Sequence, residues 1–345
     1  MMRKKNYILI LALILMALLY NFFIVNKIDA TEIHKSDKTL EFKGMNLVAA
    51  IKEVSNTTFQ ALINSHVNAI SIMPYAFVNL EKASVSFNND RQWEGEKTAG
   101  VIASIQQSHE KNFKVMLKPH LWVNHGIYTG HLDFKTEKEW ISWETDYEKY
   151  ILHFAEIAQN QKVELLCIGT ELGNSIAKRP QYWTRLIQNI KKIYSGKLTY
   201  AANWDDFDEV PFWNELDYIG IDAYFPLSKS ETPSVEEMKL GWEKHILRIE
   251  ETQKKIGKNI LFTEFGYRNS NYCADEPWTE ANSTENNQGQ ANAFEALFQS
   301  FSEKSWYKGG FAWKWYADDY YKKRKMIDYT PQEKPALKVI EKWYN

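Results

Sequence analysis

The chain has 345 residues, with 42 Lys+Arg against 44 Asp+Glu and a net charge of -2 that is not gathered into long runs of either sign. That balance offers no electrostatic footprint for nucleic acid or another polyanion. The only cysteines, Cys167 and Cys273, make no CxxC or metal-ligand spacing, so neither a zinc centre nor a disulfide framework is expected, and no cofactor is called for.

At the N-terminus, Arg3, Lys4 and Lys5 precede an apolar run from Tyr7 to Val25 that is broken only by Asn21. A basic flank and a run just long enough to cross a bilayer read as an export signal or a membrane anchor. No Cys follows the run, which removes a lipid anchor, and Ile28 is not the small residue preferred two places before a cleavage point at Ala30. The expectation is an uncleaved anchor over residues 1–30 and a polar tether over 31–38. A single extracytoplasmic domain over 39–345 follows, held at the membrane or, if the segment is cleaved, secreted.

Past the tether, short β-rich apolar runs alternate with longer amphipathic stretches, the pattern of repeated βα units and a parallel sheet. The expected strands are Phe42–Val48, Ala69–Met73, Lys114–Lys118, Glu164–Thr170, Leu198–Asn203, Tyr218–Ala223, Asn259–Thr263 and Gly310–Trp315. Helical periodicity covers Thr98–Lys111, Trp140–Gln159, Gln181–Tyr194, Val235–Ile256 and Gln288–Ser302. Pro180 opens one of these helices, and Gly196 and Gly257 follow the ends of two others. Eight strands, with no glycine-rich phosphate loop after the first, specify a closed (β/α)8 TIM barrel rather than an open doubly wound sheet. In such a barrel the active site lies at the carboxyl ends of the strands.

That rule shortens the list of acidic residues to two. Glu171 ends the fourth strand in Leu166-Cys167-Ile168-Gly169-Thr170-Glu171, and Glu264 ends the seventh in Leu261-Phe262-Thr263-Glu264-Phe265-Gly266-Tyr267. One strand-end Glu could be an ordinary rim residue. Two, framed by glycine and aromatic residues, form the carboxyl pair that glycoside hydrolysis requires, with environments able to keep one protonated and one ionised.

The strings IGTELG and LFTEFGY, with DYIGIDAYF before the second and GGFAWKWY after it, resemble glycoside hydrolase family 113, a family of the clan A retaining glycosidases, from about residue 40 to the C-terminus. The resemblance implies a (β/α)8 barrel acting chiefly as an endo-β-1,4-mannanase, with Glu171 as acid/base and Glu264 as nucleophile. It also implies that a tyrosine near the end of the sixth strand, here Tyr224, contacts the nucleophile. The clan usually carries Asn before its acid/base, where this chain has Thr170.

Other strand ends supply groups suited to a pyranose. Lys118, His120 and Trp122 follow the third strand; His120 serves either a sugar hydroxyl or a structural hydrogen bond, and no ligand spacing makes it a metal site. Asn203 and Trp204 close the fifth strand, offering an amide and a stacking wall. Phe311, Trp313 and Trp315 alternate along the eighth and so should face one way, with Trp313 as the floor beneath the cleaved sugar and Trp315 nearer the rim, unless both are barrel core. The polar segment Asn269–Gln288, which contains Trp278, should shape one wall of the cleft. The expected protein is a monomeric mannanase acting on polysaccharide or oligosaccharide. A β-glucanase, β-glucosidase or transglycosylase using the same pair, and a catalytically inactive, membrane-tethered carbohydrate-binding barrel, remain the alternatives.

Overall fold

The computed structural model describes residues 40–281, 284–318 and 327–345. The expected anchor and tether lie outside the described residues, among which no helix is long and apolar enough to cross a membrane. All eight expected strands form. They are β1 (Phe42–Val48), β2 (Ala69–Ile72), β5 (Lys114–Leu117), β7 (Leu165–Thr170), β8 (Lys197–Asn203), β9 (Tyr218–Asp222), β10 (Asn259–Phe265) and β11 (Tyr307–Tyr316). They close into a parallel barrel in the order β1-β11-β10-β9-β8-β7-β5-β2.

The strands read as nearly continuous apolar runs because both of their faces are covered. Inside the barrel, Phe42, Ala69, Met116, Leu165, Cys167, Ala201, Tyr218, Leu261 and Phe311 form a dry floor. The other face of each strand meets the helices through a much larger apolar layer that includes Ile70, Val115, Leu166, Ile219 and Phe262. Both cysteines are free and buried. Local signals set the helix ends. Thr136 and Glu139 make a capping box at the start of helix Glu137–Asn160, Pro180 stands at the first position of Pro180–Ile193, and Gly257, in the left-handed region at φ 74°, closes Val235–Ile256.

The sequence did not announce a second, three-stranded sheet. β3 (Tyr75–Asn79) and β6 (His120–Val123) continue the chain directly beyond barrel strands β2 and β5, pair in parallel, and take β4 (Ser84–Ser86) at the edge. These strands extend the barrel wall outward on one side of the mouth. Tyr150 locks the joint by donating its hydroxyl to the carbonyls of Pro74 and His120, at 2.8 and 3.0 Å.

The upper ends of three barrel strands depart from regular alternation. Between Cys167/Thr199 and Thr170/Ala201, β7 advances three residues while β8 advances two. Between Phe262/Ile221 and Glu264/Asp222, β10 advances two while β9 advances one. Between Met45/Ala312 and Leu47/Trp315, β11 advances three while β1 advances two. Each is an extra residue on one strand, the defining count of a β-bulge, and a bulge re-aims every side chain beyond it.

Candidate active site

Above the apolar floor the barrel interior turns polar: Asn46, Ser71, Lys118, Thr199, Asp222 and Thr263 are all fully buried. Lys118 stands in their midst, with Nζ 3.2 and 3.4 Å from the two oxygens of Asp222 and hydrogen-bonded to Oε1 of Glu264. Thr263 donates to Asp222 at 2.7 Å, and Asn46 donates to the carbonyls of Thr263 and Phe311, at 3.2 and 2.9 Å. Regular alternation would point Thr263 inward and Glu264 outward; the bulge in β10 brings Glu264 in as well. It also turns Phe265 into the outer layer, edge-on to Phe294 and Phe298. Tyr224, just past β9, donates its hydroxyl to Oε2 of Glu264 at 2.7 Å. Both oxygens of Glu264 are thus held, one by a cation and one by a phenol.

Glu171 follows the bulge in β7 and adopts a left-handed backbone, φ 50°. For a non-glycine residue this costs on the order of 1–3 kcal/mol, which the surrounding structure must impose. The restraints are visible: the Glu171 amide donates to the Ala201 carbonyl at 2.8 Å, and the next amide, of Leu172, donates to the Tyr200 hydroxyl at 2.5 Å. Thr170 is buried with its hydroxyl unpaired among the described residues.

The electrostatics of these groups are unequal. Burial, then the charges of Asp222 and Glu264, push the Glu171 carboxyl well above the usual range, with Lys118 opposing. Burial, then Glu264, raises Asp222 to about 7, opposed by Lys118 and the Thr263 hydrogen bond. Burial alone would discharge Lys118, but Asp222 and Glu264 outweigh it and hold the ammonium above its ordinary pKa. One buried cation cannot neutralise three carboxylates, so protons are retained, first of all on Glu171. His120 is driven neutral by burial and by the nearby Lys118 charge.

The other expected residues fall into two groups. His120 places Nε2 3.6 Å from Oε1 of Glu264, and its ring lies over Trp313 with centroids 6.2 Å apart and planes 21° apart. Trp313 is therefore at the site, and a β-carbon on Gly266 would come 2.5 Å from its carbonyl, so the close approach of these two strands needs glycine. Asn203 ends β8 opposite Asp222, with its amide donated to Asp205 at 2.9 Å. Trp204 turns away from the barrel axis to stack on Trp278, with centroids 5.3 Å and planes 14° apart, which carries the segment after β10 across to the end of β8. Trp122 stands on the small sheet, 51% exposed.

Trp315 requires a correction. It does not share the direction of Phe311 and Trp313. The extra residue in β11 turns it into the layer between barrel and helices, where it is 3% exposed. Phe311 stays in the barrel floor.

Sequence reasoning passed over Asp222, although an acidic residue closing a buried strand two places before Tyr224 was a usable signal. It also passed over Tyr128, a 38% exposed tyrosine whose phenol pKa is raised by partial desolvation and then by the charges of Glu171, Asp206 and Asp205, which sets it near the mouth. Tyr128 lies in a loop with no periodicity to place it. Among the described residues no group of His, Cys, Asp and Glu is arranged to hold a metal ion.

Two strand-end glutamates stand at the mouth of a closed eight-stranded barrel, Glu264 buried and ion-paired and Glu171 partly buried and proton-retaining. The sequence profile of glycoside hydrolase family 113 covers residues 48–334. The chain belongs to this family and is a glycoside hydrolase. Solved structures agree in fold. A family 113 β-1,4-mannanase shares 23% identity at a TM-score of 0.74, over 88% of this chain and 98% of that one. The family 113 β-mannanase AaManA from Alicyclobacillus acidocaldarius, in complex with ManMIm, shares 20% at 0.75, over 88% and 96%. A β-glucuronidase from Ruminococcus gnavus shares 13% at 0.58, over 88% of this chain and half of its own. Comparison with curated protein sequences gives no match.

Proposed function

We propose that this family 113 enzyme is a retaining β-1,4-mannanase in which Glu264 attacks the anomeric carbon and Glu171 first donates a proton to the leaving oxygen, then takes one from water. The observation that carries the assignment of roles is the asymmetry of the pair. Glu171 is kept protonated by burial and by its carboxylate neighbours, which suits a general acid. Glu264 has one oxygen on the Lys118 ammonium and the other on the Tyr224 hydroxyl, which suits an ionised nucleophile whose developing neutrality is met by the phenol. Lys118 and Tyr224 are positioning residues in this scheme, and Trp313 with His120 forms the wall against which the reacting sugar sits. Mannan as substrate rests on the family and on the mannanases that share the fold. The N-terminal apolar run Tyr7–Val25 would hold a monomeric enzyme on the outer side of the membrane.

The test is hydrolysis of mannan, glucomannan, cellulose and xylan, with the anomeric configuration of the first product followed by NMR. Cleavage of mannan with a β-configured first product is expected. A first product of inverted configuration would reject the double displacement, and cleavage of cellulose or xylan in preference to mannan would reject the substrate.

A further inference from the structure

The small sheet β3–β4–β6 presents two unlike faces. Ala76, Val78, Leu121 and Val123 point one way and are buried. On the other face the register sets Tyr75 beside His120 and Phe77 beside Trp122, with ring centroids 5.2 and 6.1 Å apart. Among the described residues nothing covers this face: Tyr75 and Phe77 are partly exposed, and Trp122 is half exposed. Isolated exposed aromatic residues are commonplace; a continuous row that begins at a catalytic carboxylate is not.

His120 makes the connection. Its ring stacks on Trp313, and its Nε2 faces Glu264 from 3.6 Å, buried and without a hydrogen-bond partner among the described residues. From there the rings of Tyr75, Phe77 and Trp122 follow outward, and residues two apart on a strand stand about 7 Å apart. Trp122 is therefore beyond the reach of the sugar being cleaved. Alongside it, Phe77 and Ser86 open onto a cleft of about 600 Å³ whose far wall is the segment Asn89-Asp90-Arg91-Gln92. Apolar rings beside amide, carboxylate and guanidinium groups are the complement of a pyranose, whose C–H face is apolar and whose edge carries hydroxyls.

We propose that this face is a distal binding track for a β-linked hexose chain, with Trp122 and Phe77 as the platform for a sugar unit remote from the cleaved bond. The track rests on the glycosidase reading above, because its occupant is the continuation of the chain held at Glu264. It gives the enzyme a preference for long substrates that the catalytic pair alone does not supply.

The experiment uses the full-length protein with Trp122→Ala, Phe77→Ala and the conservative Trp122→Tyr. Kinetics are measured on a β-1,4-mannohexaose and on an aryl β-mannoside, and affinity electrophoresis is run in gels containing soluble galactomannan. Loss of one aromatic contact should raise KM for the hexasaccharide about three- to ten-fold more than for the aryl glycoside. Trp122→Tyr should recover most of the difference, and retardation in the gel should weaken in the same order. Equal effects on long and short substrates, or no change in either measurement, would overturn the track while leaving the catalytic reading intact. A wild-type protein that cleaves neither substrate but is retarded in a Trp122-dependent way would overturn the catalytic reading and keep the track.

Discussion

Lys118 and Glu264, 146 residues apart in the chain, meet as an ion pair inside the barrel with side chains 0% and 7% exposed. A buried pair of this kind is strongly coupled to its surroundings, since removing the cation leaves Glu264 and Asp222 facing each other without compensation. Lys118→Met should therefore destabilise the fold by about 3–5 kcal/mol, read from urea denaturation at neutral pH. It should also lower kcat/KM, because Glu264 loses the donor that holds its Oε1. An unchanged kcat/KM would show that Lys118 acts through packing alone.

The two glutamates should respond differently to rescue. Glu264→Ala should abolish turnover of every glycoside, and azide or formate should restore part of it with an inverted product. Glu171→Ala should spare the first step on an aryl glycoside with a good leaving group while polysaccharide cleavage collapses, and the gap between the substrates should be of the order of 10²–10⁴-fold, the usual worth of general acid catalysis. Azide should then yield a glycosyl azide of retained configuration. Equal loss on both substrates with no response to azide would remove the assignment of roles.

Tyr224→Phe deletes one hydrogen bond to a charged acceptor and nothing else of the ring. A bond of that class is worth about 1.5–3 kcal/mol, so kcat/KM should fall roughly 10- to 100-fold with little change in thermal stability. A comparable fall in Tm would make the tyrosine a packing residue first.

The raised carboxyl pKa values also set a direction for stability against pH. A carboxyl whose folded pKa exceeds its unfolded value binds more protons in the native state across the interval between them, so unfolding free energy falls as pH rises through that interval. For Asp222 the interval runs from 3.8 to about 7, and Glu171 is shifted the same way. The stability difference between wild type and Glu171→Gln should accordingly move in favour of the variant as pH is raised from 4 to 8 in parallel denaturation series. A difference independent of pH would mean that Glu171 ionises in the folded protein as it does in the unfolded chain.

The sequence was most readable where one physical signal dominated. Strand runs such as Phe42–Val48 and helix Val235–Ile256 have the bounds that their periodicity and caps require. Glu171 and Glu264 were legible as strand-end carboxylates because a closed barrel leaves few places where such a group faces the mouth. The small sheet was not legible, since Tyr75–Asn79 and His120–Val123 alternate correctly but are separated by only two residues from the strand before, where a loop is the ordinary reading. Trp315 was misplaced because period-two counting assumes an unbroken ladder, and the added residue in β11 is a property of the β1–β11 pairing that one strand's sequence does not display. Tyr128 was missed because it nears the site through space, which spacing along the chain does not encode, whereas Asp222 had its signal in the strand end before Tyr224.

The bulges have a wider consequence. Below them, inward and outward positions on β7, β10 and β11 are fixed by neighbours on both sides, so any change there must conserve volume. Above them, each of these strands has slipped by one residue against a neighbour, and the group presented to the mouth is no longer dictated by the packing beneath. The barrel is in this respect built like a socket with a separately keyed collar, in which new chemistry can be introduced at the last few positions of a strand without renegotiating the interior that holds the strand in place.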